Sequence, residues 1–153
     1  MRQLSELNIN EGGKPVPYAS PSATLISRFE AQFGNVMPLE LQQLLEHSNG
    51  GHPELNSVGG GEGLYAIDRF LRLVEQTDDT EGMWWWMAAW RPILGPKAIP
   101  FATTGGGDPF FLDVTSSPPS VQLCLHDAGF QRVFVAPSFE AFIDSLDIDP
   151  DMI

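Results

Sequence analysis

Two segments near the start of the chain place apolar residues at the spacing of a helix. Between Pro21 and Phe33, apolar side chains recur every three or four residues: Leu25, Ile26, Phe29 and Phe33. This spacing predicts a helix with one buried face. Ser20 before Pro21 is a typical helix start, and Gly34 is a typical helix end. A second helix is predicted to begin at Pro38 and to end at Asn49-Gly50-Gly51.

The second half of the chain has the alternating pattern of β-strands. Four short β-rich runs are separated by turn residues: Ala98–Thr103, Pro109–Val114, Val121–His126 and Gln131–Ala136. They predict consecutive antiparallel strands with one face on a core. Ser138 is predicted to cap a closing helix. The buried face of that helix is expected to contain four residues: Phe139, Phe142, Ile143 and Leu146.

These elements together predict an α+β fold. An antiparallel sheet of about four to six strands is expected to pack against the N-terminal helices and a C-terminal helix. Residues 1–18 are polar and contain several Gly and Pro residues, so we expect an extended N-terminal arm. Residues 19–153 are expected to form a single domain, because neither an internal repeat nor a second core is apparent.

The middle of the chain has a weaker pattern. Ser57 to Gly63 is rich in glycine and predicts a flexible loop, and Leu64 to Ile67 predicts a short strand. Asp68 is expected to cap a helix that continues through Val74.

The charge of the chain limits the classes of partner. Twenty Asp and Glu residues oppose eight Lys and Arg residues, which gives a net charge of -12. After Ile99, Arg132 is the only Lys or Arg. Nucleic acid and anionic membranes are disfavoured as partners, because binding to phosphate groups requires Lys and Arg. A basic partner is favoured, although many bacterial cytosolic proteins are acidic simply because this keeps them soluble.

The composition also indicates a cellular location. The most apolar stretch, Met83 to Leu94, is too short to span a bilayer, and no apolar run follows Met1-Arg2. Cys124 is the only cysteine, which favours a reducing compartment. We therefore expect a cytoplasmic protein that is a monomer or a weak homodimer.

Two glycine-rich runs invite comparison with phosphate-binding loops. A P-loop requires a Lys followed by Ser or Thr after its last glycine, and neither Gly59–Gly63 nor Gly105–Gly107 has one. An acidic residue, Asp108, follows the second run and would repel phosphate. We therefore expect tight turns and no cofactor. Structural turns are expected at six glycines: Gly34, Gly50, Gly51, Gly105, Gly106 and Gly107.

The histidines and the cysteine do not form a recognised metal-binding or catalytic pattern. His47, His52 and His126 lack the His-Glu-x-x-His spacing of a zinc site. Cys124 and His126 lie two residues apart on a predicted strand, which separates their Cα atoms by about 7 Å. That distance is awkward for a nucleophile and its base. We expect no metal site and no catalytic residue.

Asp108 and Asp113 are a pair of carboxylates at turn positions. Such a pair can act as the acid and base of a small hydrolase. Carboxylates beside tight turns more often accept backbone N–H bonds or remain solvated. The second interpretation is favoured, and the first is kept as an alternative.

The most distinctive segment is the tryptophan-rich run from Met83 to Trp90. Thr80 to Trp90 predicts a third helix or turn, but the spacing within the run fits either a helix or a strand. In both geometries Trp84, Trp85 and Trp86 cannot all face one core, so at least one indole should reach the surface. An exposed tryptophan beside acidic residues is typical of an interface anchor, whereas covering loops would bury it.

The order of these elements resembles the SUKH superfamily, in the branch named for a fungal cell-wall assembly regulator. The resemblance depends on short segments in order: Phe33-Gly34 with Met37-Pro38, Asn49-Gly50-Gly51, Ile99-Pro100-Phe101-Ala102 with Gly105-Gly106-Gly107-Asp108, Phe110 and Leu112-Asp113, His126-Asp127, and Ala136-Pro137-Ser138-Phe139 with Phe142 and Leu146. Thr103-Thr104 departs from the family, in which many members have an acidic or amide residue before the glycines.

The resemblance implies a class of function. Members of the superfamily are mostly bacterial immunity proteins, so it implies a non-enzymatic module that binds and neutralises a cognate toxin, with a basic toxin domain as partner. An intracellular regulatory or scaffold protein of the same fold is an alternative, as the fungal relatives suggest. Five residues are expected to contact the partner: Trp84, Trp85, Asp108, Asp113 and Asp127.

Overall fold

The computed structural model of the protein describes residues 1–150. Within them, the four α-helices are α1 (Ala23–Phe33), α2 (Leu39–His47), α3 (Met83–Leu94) and α4 (Phe139–Ser145). The seven strands are β1 (Ser57–Gly60), β2 (Gly63–Ala66), β3 (Arg69–Phe70), β4 (Ala98–Thr103), β5 (Pro109–Asp113), β6 (Ser120–Leu125) and β7 (Gln131–Ala136).

Five of the strands form one antiparallel sheet in the order β3-β4-β5-β6-β7, and β1 and β2 form a separate hairpin. The four predicted strands between Ala98 and Ala136 are therefore confirmed as consecutive antiparallel neighbours. The predicted α+β class is confirmed as well, since two helices precede the sheet and one closes the fold.

Helices α1 and α2 are confirmed, but Ser22 caps α1 instead of the predicted Ser20, whose hydroxyl donates to the carbonyl oxygen of Glu46 at 2.8 Å. The side chain of Ser22 accepts a hydrogen bond from the N–H of Leu25 at the start of α1. Gly34 ends α1 in the left-handed region, with φ 88°. α2 begins directly after Pro38 and ends before Ser48.

β4 runs through the interior of the sheet although it contains a proline. Pro100 has no N–H to donate to a neighbouring strand. The pairing of β4 with β5 shifts in register between Pro100 and Ala102. This irregularity, a β-bulge, is the kind of position at which a strand tolerates proline. All of β4 is buried, because side chains cover the sheet on both faces here.

The main core lies between one face of the sheet and helices α1, α2 and α4. From α4, the rings of Phe139 and Phe142 lie 5.2 and 5.4 Å from the ring of Phe101 in β4, measured between centroids. Phe142 also lies 5.7 Å from Phe110 in β5. The predicted apolar faces of α1 and α4 are buried in this core, which confirms both.

The opposite face of the sheet is also covered in part, which corrects the expectation of a single buried face. Phe111 and Cys124 alternate along their strands with residues of the main core, yet both are fully buried. They pack with Ala98, Leu94 and Trp90 in a second, smaller cluster under α3. Burial raises the pKa of the Cys124 thiol, which keeps the thiol in its less reactive neutral form.

The run from Met83 to Trp90 forms a helix, α3, that connects the two cores. Its first residues lie in the main core, and Leu94 lies in the second cluster. Arg132 of β7 donates hydrogen bonds to the carbonyl oxygens of Leu94 at 2.9 Å and Ile93 at 3.4 Å. Carbonyls at a helix C-terminus have no partner within the helix, and a cation is favourable there. Arg132 therefore fixes the end of α3 to the sheet.

The predicted flexible loop from Ser57 to Gly63 is wrong, because most of it belongs to the β1–β2 hairpin. A Cβ atom at Gly60 would lie 3.2 Å from the side chains of Val133 and Val135. The absence of a side chain lets the hairpin approach β7 closely. Here glycine serves packing and not flexibility.

The predicted helix from Asp68 to Val74 is also wrong. Arg69 and Phe70 form the edge strand β3 on β4, and the N–H of Leu71 donates to the carbonyl oxygen of Phe101 at 2.9 Å. A short apolar run fits a helix or a buried extended segment equally well. Pairing with the exposed edge of β4 satisfies the backbone here and favours the extended form.

The side chain of Asn49 holds the segment that follows β3. Its amide group donates to the carbonyl oxygens of Ala19 and Leu73, both at 2.9 Å, and its oxygen accepts from the N–H of Leu73 at 2.8 Å. Asn49 is only 2% exposed, so water cannot replace these bonds. One side chain thus joins three segments that are distant in sequence.

Four of the six glycines predicted to form turns adopt positive φ angles: Gly34, Gly50, Gly51 and Gly107. Gly105 and Gly106 do not. The requirement is clearest at Gly51, where φ is 102° and a Cβ atom would lie 2.6 Å from the side chain of Val16. Glycine at this position lets the N-terminal segment pack against the end of α2.

Residues 1–18 are more ordered than an extended arm. Leu4–Leu7 form a 3₁₀ turn, and Leu7 is fully buried in the main core. The guanidinium of Arg2 donates to the carbonyl oxygens of Ile143 at 3.1 Å and Leu146 at 2.7 Å, at the end of α4. The N-terminal segment therefore covers the helical layer.

We expect Phe142→Ala to lower the free energy of unfolding by roughly 3–5 kcal/mol, because the ring fills the centre of the main core. Phe134→Ala is the matched control, since Phe134 is 57% exposed, and it should cost less than about 1 kcal/mol. Urea denaturation of both variants measures the difference. Equal losses would contradict the packing of α4 described above.

Asn49→Ala should lower the free energy of unfolding by roughly 2–4 kcal/mol, because it leaves the buried backbone N–H and carbonyl of Leu73 without partners and removes the bond to Ala19. Asn35→Ala is the control, since the Asn35 side chain accepts an exposed hydrogen bond from Lys97 at the surface. The same denaturation experiment applies. A loss below about 0.5 kcal/mol for Asn49→Ala would mean that these bonds do not hold the segment.

Candidate partner-binding surface

Trp84, one of the residues expected to contact a partner, is largely buried and belongs to the main core. Its side chain is 9% exposed and its ring lies 5.2 Å from that of Phe29 in α1. Its indole N–H donates to the carbonyl oxygen of Val74 at 2.9 Å. Both the apolar and the polar part of the side chain are thus satisfied inside the protein.

The other three tryptophans of α3 form a row of rings with Phe130 on the outside of the molecule. Successive centroids lie 5.7 Å apart for Trp85 and Trp86, 6.1 Å for Trp86 and Trp90, and 6.0 Å for Trp90 and Phe130. We call this row of four rings the aromatic ladder. Trp86 and Trp90 meet because they are four residues apart on a helix. Phe130 joins them from the turn between β6 and β7.

The two ends of the aromatic ladder are exposed. Trp85 is 37% exposed and Phe130 is 46% exposed. Trp86 donates its indole N–H to the carbonyl oxygen of Thr80 at 2.8 Å. Within residues 1–150, the indole N–H groups of Trp85 and Trp90 donate no hydrogen bond. The expectation that one indole reaches the surface is confirmed at Trp85.

Sequence reasoning missed Phe130, although a signal for it exists. Gly129 and Phe130 both have positive φ angles, 67° and 61°. Glycine adopts this region freely, but a bulky residue there is an outlier that costs on the order of 1–3 kcal/mol. The signal in the sequence is an aromatic residue directly after glycine in a turn between two strands, because Gly, Asn and Asp are the usual residues in turns.

Two carboxylates meet the ring of His126, one from the turn between β4 and β5 and one from the turn that contains Phe130. The carboxylate of Asp108 accepts a hydrogen bond from the backbone N–H of His126 at 3.0 Å and also contacts Nδ1 of its ring. Nε2 of the ring lies 3.0 Å from the carboxylate of Asp127. A neutral imidazole has one N–H, so only the protonated ring can donate to both carboxylates. The hydrogen bond with Asp108 is the main reason that the pKa of His126 is raised.

A second acidic segment lies beside the other end of the aromatic ladder. Asp79 accepts two hydrogen bonds from the guanidinium of Arg72, at 2.6 and 2.8 Å. Burial acts to raise the pKa of Asp79, but the bonds from Arg72 and from the N–H of Glu81 outweigh burial and lower it. These contacts fix the loop that supplies the carbonyl oxygens bound by Trp84 and Trp86.

Asp113 accepts hydrogen bonds from the N–H and hydroxyl of Thr115 and from the amide of Gln122. Burial acts to raise the pKa of Asp113, but these bonds and the charge of Arg132 lower it overall. Asp113 therefore stabilises the turn after β5, as carboxylates beside turns commonly do.

Two kinds of site are not found in the described part of the chain. Among residues 1–150, no group of three or more His, Cys, Asp or Glu side chains is arranged to hold a metal ion. No helix within the same residues is long and apolar enough to span a membrane.

The raised pKa of His126 leads to a testable dependence on pH. A raised pKa in the folded state means that the charged ring stabilises the fold fully below its usual value of 6.5, and that this contribution is lost as the pH rises through the folded pKa. Asp108→Asn should lower the pKa of His126, and Asp127→Asn should lower it less, since Asp108 is the largest cause of the raised pKa and Asp127 the smallest. NMR titration of the His126 ring measures both. An unchanged pKa in Asp108→Asn would contradict the pairing.

Comparison with known proteins identifies the family. No curated protein matches the chain. A family model described as SMI1 / KNR4 family (SUKH-1) matches residues 20–145. The matched range includes every helix and strand from α1 to α4, and it confirms the resemblance that the short sequence segments indicate. The chain belongs to the SMI1 / KNR4 family (SUKH-1).

Proposed function

We propose that this protein is a non-enzymatic, cytoplasmic immunity protein that binds and neutralises a basic toxin domain. The contact surface consists of the aromatic ladder with the acidic groups at its two ends. The observation that carries the proposal is the row of rings whose ends, Trp85 and Phe130, are exposed, with the accessible carboxylate of Asp127 three residues before Phe130. Membership of the SMI1 / KNR4 family (SUKH-1) supports a protein-binding role.

The aromatic ladder has the properties of an interface centre. Aromatic residues are enriched at interfaces and often dominate the binding energy, because a large apolar ring is buried at little cost in conformational entropy. The indole N–H groups of Trp85 and Trp90 remain available to acceptors on a partner, as is common for tryptophan at interfaces. Trp90 packs on the second buried cluster, which supports the ladder from beneath.

The charge distribution supports a basic partner. The protein has a net charge of -12, and Arg132, the only Lys or Arg after Ile99, is engaged with the end of α3. Asp127 is exposed beside the aromatic ladder, with a side chain that is 92% accessible. A basic toxin domain would be attracted over long range and would pair with these carboxylates after contact.

The alternative of a small hydrolase is not supported by the positions of Asp108 and Asp113. They flank β5, and five residues of extended chain span about 17 Å. The paired carboxylates of glycosidases lie only about 5–9.5 Å apart. Both aspartates are also engaged in hydrogen bonds that stabilise their turns. We therefore propose no catalytic role for them.

The rate of association with a toxin domain should depend on salt. The probe is the purified C-terminal domain of a toxin encoded beside the gene for this protein. We expect its association rate constant, measured by stopped-flow fluorescence, to fall clearly between low salt and about 1 M, where screening shortens to about 3 Å. Asp127→Lys should slow association more than Glu46→Lys, which makes the same charge change on exposed α2.

Trp85→Ala tests the contribution of the aromatic ladder to the lifetime of the complex. It should mainly raise the dissociation rate constant, by about 30-fold if Trp85 contributes about 2 kcal/mol. Leu39→Ala is the control, since Leu39 is exposed on α2, a helix that carries no residue of the aromatic ladder. An unchanged dissociation rate in a folded Trp85→Ala variant would remove Trp85 from the interface.

The binding experiment also separates the immunity function from the regulatory alternative. If the wild-type protein binds none of the toxin domains encoded beside its gene, the immunity function is wrong. The intracellular regulatory or scaffold role would then be favoured.

A further inference from the structure

We infer that Phe130 is the anchor of the partner contact and that its ring enters an apolar pocket on the partner with Lys or Arg at the rim. This inference rests on the proposed function. It adds a particular residue and the shape and chemistry of the site that receives it.

The backbone of Phe130 is in a conformation that its own side chain disfavours. With φ angles of 67° and 61°, Gly129 and Phe130 are two consecutive left-handed residues in the connection from β6 to β7. Left-handed positions favour Gly or Asn, because a bulky side chain clashes with the backbone there. A chain selected only for stability would have Gly or Asn at position 130.

Burial does not compensate for this strain. Phe130 is 46% exposed, and its one ring contact among residues 1–150 is with Trp90. Phe134 is also exposed, but it lies in β7 in an extended conformation and carries no strain of this kind. Strained residues that contribute little to stability are concentrated at functional sites. Phe130 therefore differs from an ordinary exposed apolar residue.

The aromatic ladder holds the ring in place before a partner arrives. The Phe130 ring meets Trp90 edge to face, at 76°, and Trp90 stacks on Trp86 with a 3° angle between the ring planes. A side chain that is ordered in the free protein loses little conformational entropy on binding. The rest of the ring remains accessible to a pocket.

The groups near Phe130 specify the chemistry of that pocket. Asp127 lies three residues before Phe130 and is almost fully accessible, and Asp108, from the turn between β4 and β5, pairs with the neighbouring His126. Cations at the rim of an apolar pocket would pair with these carboxylates while the ring enters. A second copy of the chain, with the same net charge of -12, would instead bring like charges together. A basic partner is therefore the occupant that fits.

Two substitutions at position 130 separate the contribution of the ring to binding from its effect on the stability of the fold. Phe130→Ala and Phe130→Gly both remove the ring, but only alanine keeps a Cβ atom at the positive φ angle. We expect Phe130→Gly to melt about 2–4 °C higher than Phe130→Ala, because glycine relieves the strain. Both should weaken binding to the toxin domain equally, by about 30-fold or more, in isothermal titration calorimetry. Leu39→Ala should leave the affinity unchanged.

The outcomes distinguish this inference from the proposed function. If the wild-type protein binds the toxin domain and both variants bind it as tightly, Phe130 is not the anchor and the proposed function stands. If affinity follows melting temperature across the two variants, the ring acts only through the fold, which also overturns the inference. If the wild-type protein does not bind, the proposed function fails. If sedimentation shows a wild-type dimer that Phe130→Ala dissociates, the occupant is a second copy and the basic partner is wrong.

Discussion

The attachment of α3 to the sheet by Arg132 is the interaction on which the outer surface depends. Arg132 is the only Lys or Arg after Ile99, and it binds the last carbonyl oxygens of α3. Its guanidinium also lies 5.4 Å from the centre of the Phe111 ring. At the other end of the helix, Trp84 packs into the main core. Held at both ends, α3 presents its middle residues outwards, and the second cluster beneath them excludes water from that face of the sheet.

The segments that precede α3 are also fixed by side-chain hydrogen bonds. Asn49 fixes the chain after β3, and Arg72 fixes the loop before α3 through Asp79. That loop then accepts the indole hydrogen bonds of two tryptophans. The rings of Trp84 and Trp86 are thus fixed by carbonyl oxygens of a loop that is itself fixed by the Arg72–Asp79 contact. The aromatic ladder is therefore an extension of the packed interior, although its ends are exposed.

Much of this architecture could be predicted from the sequence, because helix caps and alternating strands are local signals. The four strands after Ala98 and the helix after Ser138 are examples. The segment from Asp68 to Val74 could not, since its state depends on pairing with a strand about thirty residues away. The tryptophans show the same limit. The periodicity of the sequence requires one indole to be exposed but does not identify it. Trp84 is the buried one because it packs on Phe29 of α1 and donates to Val74 in the loop before α3.

The arrangement of the indoles also gives the protein an optical property. Trp86 and Trp90 have nearly parallel planes with centroids 6.1 Å apart, so the electronic transitions of the two chromophores are close enough to couple. Trp84 is enclosed, whereas Trp85 meets solvent, so the two indoles have different emission energies. Any molecule that covers the row changes the polarity around Trp85 and leaves Trp84 unaffected. The protein therefore carries an intrinsic spectroscopic reporter on this face, and no attached dye is needed to detect its occupancy.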